Sequence, residues 1–225
     1  MPRLWLTRTQ PFADESAARL RAMGHEVIVA PLLETVILPL PQNLPDPEAL
    51  LIFTSRKAVI VFCVSITDRH FECICVGDAT ADTARSAGFK SVHSAQGNAG
   101  DVTRWIKENI SFDRPIYHAA SAHPRGDIIE TLIEAGFTRA LRETFYTTES
   151  VTCDPRSEPR DDDMILLYSP MAAACLVSLN IDFMAAETLS FSPSVDSILE
   201  KSRLSFKARH ISSRPTEVSL FNHLL

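Results

Sequence analysis

Residues 51–55 read LIFTS and residues 166–170 read LLYSP. Each stretch is a short apolar run that ends at a hydroxyl side chain, which is typical of a buried strand followed by a capped helix. The second stretch lies 115 residues after the first. Because the two stretches are similar, the sequence predicts two copies of one strand-and-helix unit in a single chain.

Two further pairs of similar segments indicate which parts of the chain correspond. Residues 89–93 (FKSVH) resemble residues 206–210 (FKARH), and residues 20–24 (LRAMG) resemble residues 132–136 (LIEAG). The last pair predicts helix ends that are closed by a glycine in the left-handed conformation. The order of these pairs requires the middle of the chain to form one complete five-stranded lobe, while the two ends form the other.

We therefore predict an α/β fold with two similar lobes, each built on a parallel sheet covered by helices. Residues 1–35 plus 150–225 are expected to form a discontinuous first lobe, and residues 40–145 the second. Two linkers must cross between the lobes, and prolines lie at both places, around residues 39–47 and 155–159. The alternative is a single open sheet of ten strands in which the similarities arose by chance.

The composition limits the classes of partner. Of the 225 residues, 45% are hydrophobic and 22% are charged, which is typical of a folded globular protein. The net charge of −6 disfavours nucleic acid and anionic membranes as partners. Arg3 and Arg8 interrupt the apolar residues near the N-terminus, so we expect no signal peptide or membrane span there and a cytosolic, monomeric protein.

The spacing of the cysteines and the missing glycine motifs disfavour a metal or nucleotide cofactor. Five cysteines are dispersed outside any CxxC spacing, so we predict reduced thiols and no metal site. Gly77 lacks the companion glycines of a dinucleotide fingerprint, and the chain has neither a GxxxxGK[ST] loop nor a GxSxG elbow. We expect no cofactor.

Candidate binding groups follow the predicted strands. In open α/β sheets, ligands bind beyond the carboxyl ends of the strands, where helix N-termini attract anions. Hydroxyl side chains recur at these positions, and arginines accompany two of them; the set comprises Thr7, Arg8, Thr54, Ser55, Arg56, Thr80 and Ser169. The alternative interpretation is that the hydroxyls only cap helices, as Ser and Thr often do.

Several segments, taken in order along the chain, resemble the uroporphyrinogen-III synthase (HemD) family. They are the Leu6-Thr7-Arg8 strand end, residues 52–56 (IFTSR), residues 76–81 (VGDATA), Arg125 before the helix that ends at Gly136, residues 145–148 (FYTT), Ser169-Pro170, and residues 214–217 (RPTE). The resemblance implies two flavodoxin-like lobes with a discontinuous first lobe. It also implies the dehydrative cyclisation of hydroxymethylbilane, with inversion of ring D, to uroporphyrinogen III without any cofactor.

The resemblance adds Arg125 and Thr216 to the expected substrate-binding residues. It also implies a tyrosine shortly before the chain re-enters its first lobe, and residues 150–163 contain none. We therefore expect Tyr146 and Tyr168 as substitutes in catalysis. The segment Ser192–Asp196 departs from its counterpart at Gly77, which leaves open a non-catalytic two-lobed module that binds small anions or regulates. A nucleotide- or flavin-binding protein also stays open, because flavodoxin-like sheets bind such ligands, although no fingerprint is present.

Overall fold

The computed structural model describes residues 3–124, 126–151, 160, 163–179, 181 and 183–224. The strands are β1 Leu4–Leu6, β2 Val27–Val29, β3 Leu33–Ile37, β4 Leu50–Phe53, β5 Glu72–Cys75, β6 Ser91–Ser94, β7 Ile116–Ser121, β8 Ala140–Ser150, β9 Met164–Leu167, β10 Phe183–Ser190 and β11 Phe206–Ile211. The helices are α1 Phe12–Ala22, α2 Arg56–Ser65, α3 Asp78–Ser86, α4 Ala99–Asn109, α5 Ile128–Glu134, α6 Pro170–Ser178, α7 Pro193–Glu200 and α8 Glu217–Asn222.

The chain divides into two compact units. Unit 1 comprises Met1–Thr35 and Glu149–Leu225, and unit 2 comprises Val36–Thr148. Unit 1 contains a five-stranded sheet of order β11-β10-β9-β1-β2, and the second sheet has six strands of order β3-β8-β7-β4-β5-β6. All four strand pairs of the first sheet are parallel, as are the pairs that join β4, β5, β6, β7 and β8.

The two sheets correspond strand by strand. Written from one edge, β2-β1-β9-β10-β11 matches β8-β7-β4-β5-β6, so the first sheet is a circular permutation of the second. The similar sequence segments fall on the matching elements: β4 and β9, β6 and β11, and the ends of α1 and α5. The predicted α/β fold with a discontinuous first lobe is confirmed, and the single ten-stranded sheet is excluded. The strand order of unit 1 is also the flavodoxin order, 2-1-3-4-5.

One strand was not predicted. We predicted no strand between the first part of lobe one, which ends at residue 35, and the proline-rich linker around residues 39–47, whereas β3 (Leu33–Ile37) extends the second sheet beyond β8. Only its first residue, Leu33, is buried, so β3 lacks the continuous apolar run by which we recognised the inner strands. The prolines at 155 and 159 of the other predicted linker lie outside the described residues.

Helices cover both faces of each sheet. In unit 2, Leu51 and Phe53 pack against α2 and α3, whereas Leu50 and Ile52 pack against α4 and α5. All four side chains of β4 are buried, and β9 alternates in the same way between α6 and α7 on one face and α1 and α8 on the other. Each such apolar side chain contributes about 1.5–3 kcal/mol to the free energy of folding when it is buried. Polar groups that could bind a ligand are therefore expected at the ends of these strands. Among the described residues, no helix is long and apolar enough to cross a membrane.

The predicted glycine caps are present. Gly24 follows α1 with φ +91° and Gly136 follows α5 with φ +103°. The Gly24 N–H donates to the Arg21 carbonyl (2.9 Å), and the His25 N–H donates to the Leu20 carbonyl (3.1 Å). This pair of bonds satisfies carbonyls that would otherwise lack partners at the helix end.

We expect Gly24→Ala to lower the free energy of unfolding by about 1–2 kcal/mol, because the left-handed conformation disfavours a Cβ atom. An added Cβ would meet no atom within 4 Å, so the loss reports backbone conformation alone. Gly24→Asn is the matched variant and should lose less, since asparagine tolerates this conformation. Urea denaturation of the three proteins measures the difference; equal losses for Ala and Asn would contradict the assignment.

His118 is a buried imidazole without a hydrogen-bond partner. It is 1% exposed in β7, and neither ring nitrogen has a partner among the described residues. Burial, with a smaller contribution from the neighbouring Arg142 guanidinium, lowers the pKa of His118 to about 4 from 6.5, and the Glu130 carboxylate opposes this. The folded protein therefore holds a neutral imidazole over a pH range in which the unfolded chain binds a proton.

Stability should fall as the pH decreases from about 6.5 toward 4. Above that range both states carry neutral His118, so it has no effect; within it, only the unfolded state takes up the proton. From pH 7 to pH 5 we expect protonation of His118 in the unfolded state to lower the free energy of unfolding by about 2 kcal/mol. Urea denaturation at both pH values should show that His118→Leu removes this part of the decrease. An unchanged decrease would mean that another group is responsible.

Candidate functional site

Each sheet has one pair of neighbouring strands after which the chain continues toward opposite edges of the sheet. In unit 2 this pair is β4 and β7, and in unit 1 it is β9 and β1. A crevice opens at the carboxyl ends of two such strands, and it is the usual ligand site of open parallel sheets. We call these places switch point 2 and switch point 1, after their units.

Switch point 2 contains a tyrosine that hydrogen-bonds a helix-capping serine. The Ser55 Oγ caps α2 by accepting from the Ala58 N–H at 3.0 Å, and it lies 3.1 Å from the Tyr146 Oη. Ser121, the last residue of β7, is paired with Tyr146 in register. The Tyr146 hydroxyl is thus tied to the start of α2, directly after β4.

Tyr146 is 5% exposed. Burial raises the pKa of this phenol, and the hydrogen bonds from Ser55 and Ser121 act in the opposite direction. At neutral pH Tyr146 is therefore protonated, and its proton can be donated to an acceptor placed at the strand ends.

Two cations begin the helix at this point. The first two residues of α2 are Arg56 and Lys57, and its first turn contains no acidic residue. Cations are unfavourable at a helix N-terminus because the helix dipole is positive there. The Arg56 Nε donates to the Thr83 Oγ1 at 3.1 Å, and the Lys57 Nζ donates to the Thr148 Oγ1 at 3.4 Å. These contacts fix both cationic side chains at the start of α2.

At switch point 1 an internal carboxylate pairs with two arginines. Arg8 donates to the Ser16 hydroxyl at 3.0 Å and pairs with the Glu217 carboxylate at 2.6 Å. Arg19 pairs with the other oxygen of Glu217, also at 2.6 Å, and the Ser16 hydroxyl donates to the same carboxylate. An internal carboxylate therefore occupies the position that we predicted for a substrate carboxylate beside Arg8.

Tyr168 lies beside this ion pair. The Arg8 guanidinium is 5.0 Å from the centre of its ring. Burial, together with the Glu217 carboxylate, raises the pKa of Tyr168, while Arg8 opposes the rise. The Tyr168 hydroxyl is buried and has no partner in hydrogen-bond geometry among the described residues, so its setting differs from that of Tyr146.

The other predicted residues serve the fold in ways that are visible in the structure. The Thr7 hydroxyl donates to the Leu166 carbonyl at 2.7 Å and so joins β1 to β9. Ser169 and Thr216 cap α6 and α8 by accepting from the Ala172 and Ser219 N–H groups. Thr54 is half-buried at the end of β4, and Thr80 is buried in the first turn of α3. Arg125 lies outside the described residues.

The structure thus brings Ser55, Arg56 and Tyr146 to one switch point and Arg8 and Tyr168 to the other. Sequence reasoning missed Lys57 and Ser121 in the first group and Glu217 in the second. Lys57 stands directly beside Arg56 at a predicted helix start, which is a signal that could have identified it. In the part of the chain that the structure describes, no group of three or more His, Cys, Asp or Glu side chains could hold a metal ion.

The fold and its switch points define a class: α/β proteins with two parallel units, the first built from both ends of the chain. A family model described as uroporphyrinogen-III synthase HemD matches residues 14–222. The chain belongs to this family, which confirms the resemblance seen in the sequence.

Solved structures agree on the fold. Uroporphyrinogen-III synthetase from Helicobacter pylori 26695 superposes with a TM-score of 0.71 at 14% identity, covering 100% of this chain and 98% of that one. A mutant uroporphyrinogen III synthase from the extremely thermophilic bacterium Thermus thermophilus gives a TM-score of 0.54 at 14% identity, with the same coverage. No curated protein matches the sequence.

We expect Glu217→Gln to lower the free energy of unfolding by about 1.5–3 kcal/mol, the range for hydrogen bonds to charged groups, because Arg8 and Arg19 lose a shared, mostly buried carboxylate. Asp82→Asn is the matched control, since its pair with Arg85 is exposed at both ends. That variant should lose less than about 0.5 kcal/mol. Thermal and urea denaturation measure both; equal losses would show that the Glu217 network does not stabilise unit 1.

Proposed function

We propose that the protein is a uroporphyrinogen-III synthase, which cyclises hydroxymethylbilane with loss of water and inversion of ring D. The observation that carries this proposal is the buried, protonated Tyr146 between Ser55 and Ser121, beside two cations, in a chain of the HemD family. Family membership supports the substrate class, and the switch point supplies a proton donor next to positive charge. The proposal includes a monomeric, cytosolic enzyme that uses no cofactor.

The reaction requires a group that protonates the departing hydroxyl. The lone pair of the terminal pyrrole nitrogen expels this hydroxyl, the C–O bond breaks, and Tyr146 donates the proton that turns the leaving group into water. The methylene carbon of the first pyrrole then bonds to the substituted α-carbon of ring D, and the bond from that carbon to the neighbouring ring C breaks. The carbon that is freed bonds to the other α-carbon of ring D, which inverts ring D and closes the macrocycle, and the proton lost from that α-carbon restores the phenol. Holding the two reacting carbons together accounts for much of the remaining acceleration, because it removes the entropy cost of their encounter.

The substrate carries eight carboxylates, whereas the protein carries a net charge of −6. Local groups must therefore hold it. Backbone N–H groups at helix starts contribute about 0.3–1 kcal/mol per charge at exposed sites. The candidates are Thr54, Ser55, Arg56 and Thr80 in unit 2, and Thr7, Arg8, Ser169 and Thr216 in unit 1, together with Arg125.

A second candidate function is a non-catalytic module that binds small anions. The observation in its favour is the internal pairing of Arg8 with Glu217, because this pairing removes one cation from the expected substrate contacts. A module of this kind would bind hydroxymethylbilane or a smaller carboxylate without converting it. Fold alone does not separate the two functions, so the distinction rests on turnover.

Incubation with hydroxymethylbilane should yield uroporphyrinogen III, which chromatography separates from isomer I after oxidation to the porphyrins. Tyr146→Phe should lower kcat by about 100-fold or more, the usual contribution of a general acid. Tyr168→Phe is the matched variant and should lower kcat by less than about tenfold, the equivalent of one hydrogen bond. Circular dichroism and substrate affinity check that each variant is intact.

Formation of isomer I alone, at the rate seen without protein, would overturn the proposed activity and favour the binding module. The reverse order of the two tyrosines would move the proton donor to switch point 1. Activity should persist after dialysis against a chelator, and restoration of lost activity by a metal or flavin would contradict cofactor-free catalysis.

A further inference from the structure

Lys57 carries an ammonium group in unit 2 that no acidic side chain of the described residues pairs with. Its side chain is half-buried, and among the described residues no carboxylate pairs with it. By contrast, arginines in the same unit such as Arg114 and Arg139 lie within 3.0 Å of a carboxylate. Burying a cation without a partner is unfavourable, so its placement needs another explanation.

The Lys57 ammonium contacts one face of β8. Its Nζ lies 5.9 Å from the centre of the Tyr146 ring and 3.4 Å from the Thr148 Oγ1. Tyr146 and Thr148 are alternate residues of one strand, so their side chains lie on the same face of the sheet. The lysine therefore spans the tyrosine and the next residue on that face, and the contact with Thr148 limits the positions of its ammonium.

We propose that Lys57 is a positioning residue for Tyr146. The Lys57 ammonium holds the phenol in place, and it stabilises the negative charge that appears on the phenol oxygen when Tyr146 donates its proton. The inference rests on the proposed function. In this step the Tyr146 O–H bond breaks, the proton moves to the oxygen of the departing hydroxyl, and the substrate C–O bond breaks to release water. Lys57 gives up no proton and forms no bond.

The surroundings of Tyr146 make this ammonium important. Ser55 at the start of α2 lies 3.1 Å from the hydroxyl, and Lys57 is the charged group of the described residues that contacts the ring. Burial raises the pKa of Tyr146, which makes the phenol a weaker acid, and burial also lowers the pKa of Lys57. An ammonium beside a phenolate offsets both penalties at once, because each charge stabilises the other.

A different role for Lys57 would be to bind a substrate carboxylate directly. The two roles act at different stages. A contact between Lys57 and a substrate carboxylate exists before and during the reaction, so removal of the ammonium would raise KM. Negative charge on Tyr146 develops only in the transition state, so removal of an ammonium that stabilises this charge lowers kcat.

The test compares Lys57→Met, which removes the charge at similar length, with Lys57→Arg, which keeps it. Lys57→Met should lower kcat about tenfold, as expected for the loss of a partly desolvated cation–π contact, with little change in KM. Lys57→Arg should recover most of the rate. Lys107→Met, at an exposed lysine of α4 in the same unit, is the control and should be unaffected. Tyr146→Phe with Lys57→Met should be no slower than Tyr146→Phe alone.

A second measurement needs no substrate. The chain has three tyrosines, so ¹³Cζ-tyrosine labelling gives few NMR signals, and Tyr146→Phe assigns one of them. In Lys57→Met the pKa of Tyr146 should be higher than in the wild-type protein, and in Lys57→Arg it should not. This result would stand even if the wild-type protein made no uroporphyrinogen III, so the two proposals fail separately. A raised KM with unchanged kcat and an unchanged Tyr146 titration would overturn the positioning role.

Discussion

Parallel strands covered by helices on both faces bury most of their side chains in the two apolar layers. In β4 and β9 every side chain is buried among apolar neighbours, and alternate residues lie on opposite faces of the sheet. The polar groups that follow these two strands therefore lie at their carboxyl ends, where the helices begin. Ser55 and Ser169, the matching helix caps of the two units, both follow from this constraint.

The two units have kept the same backbone plan but differ in charge at equivalent places. At switch point 1 the cation Arg8 is satisfied by Glu217, 209 residues further along the chain. At switch point 2 the cation Lys57 has an aromatic ring and a hydroxyl as neighbours. The two copies therefore differ in how the cation at the switch point is compensated, and the settings of Tyr168 and Tyr146 differ with it.

Sequence patterns predicted the two lobes and the discontinuity of the first lobe. The similar segments at 51–55 and 166–170 fall on β4 and β9, and the glycines at 24 and 136 close the expected helices, because strand burial, caps and left-handed turns are decided by neighbours in sequence. The edge strand β3 was missed, since an edge strand needs no continuous apolar run.

Side-chain partners were harder to predict for a physical reason. The Arg8–Glu217 pair and the Thr7 bond to Leu166 join residues that are far apart in sequence, and no local pattern signals such contacts. Arg8 was correctly placed at a strand end, but its neutralisation was visible only in the fold. Ser55 and Tyr146 were both predicted, whereas their contact at 3.1 Å required the register of β7 and β8.

The permuted order of unit 1 has a consequence for synthesis on the ribosome. In the finished sheet β1 lies between β2 and β9, yet about 160 residues separate β1 from β9, so at translation rates of 5–20 residues per second it waits on the order of ten seconds for its second neighbour. During that interval Leu4, Trp5 and Leu6 form an apolar strand with one edge unpaired, a state that is prone to association with other chains. Unit 2, which is continuous, emerges complete in the meantime. The nascent chain thus carries an apolar strand with an unpaired edge until β9 has been synthesised.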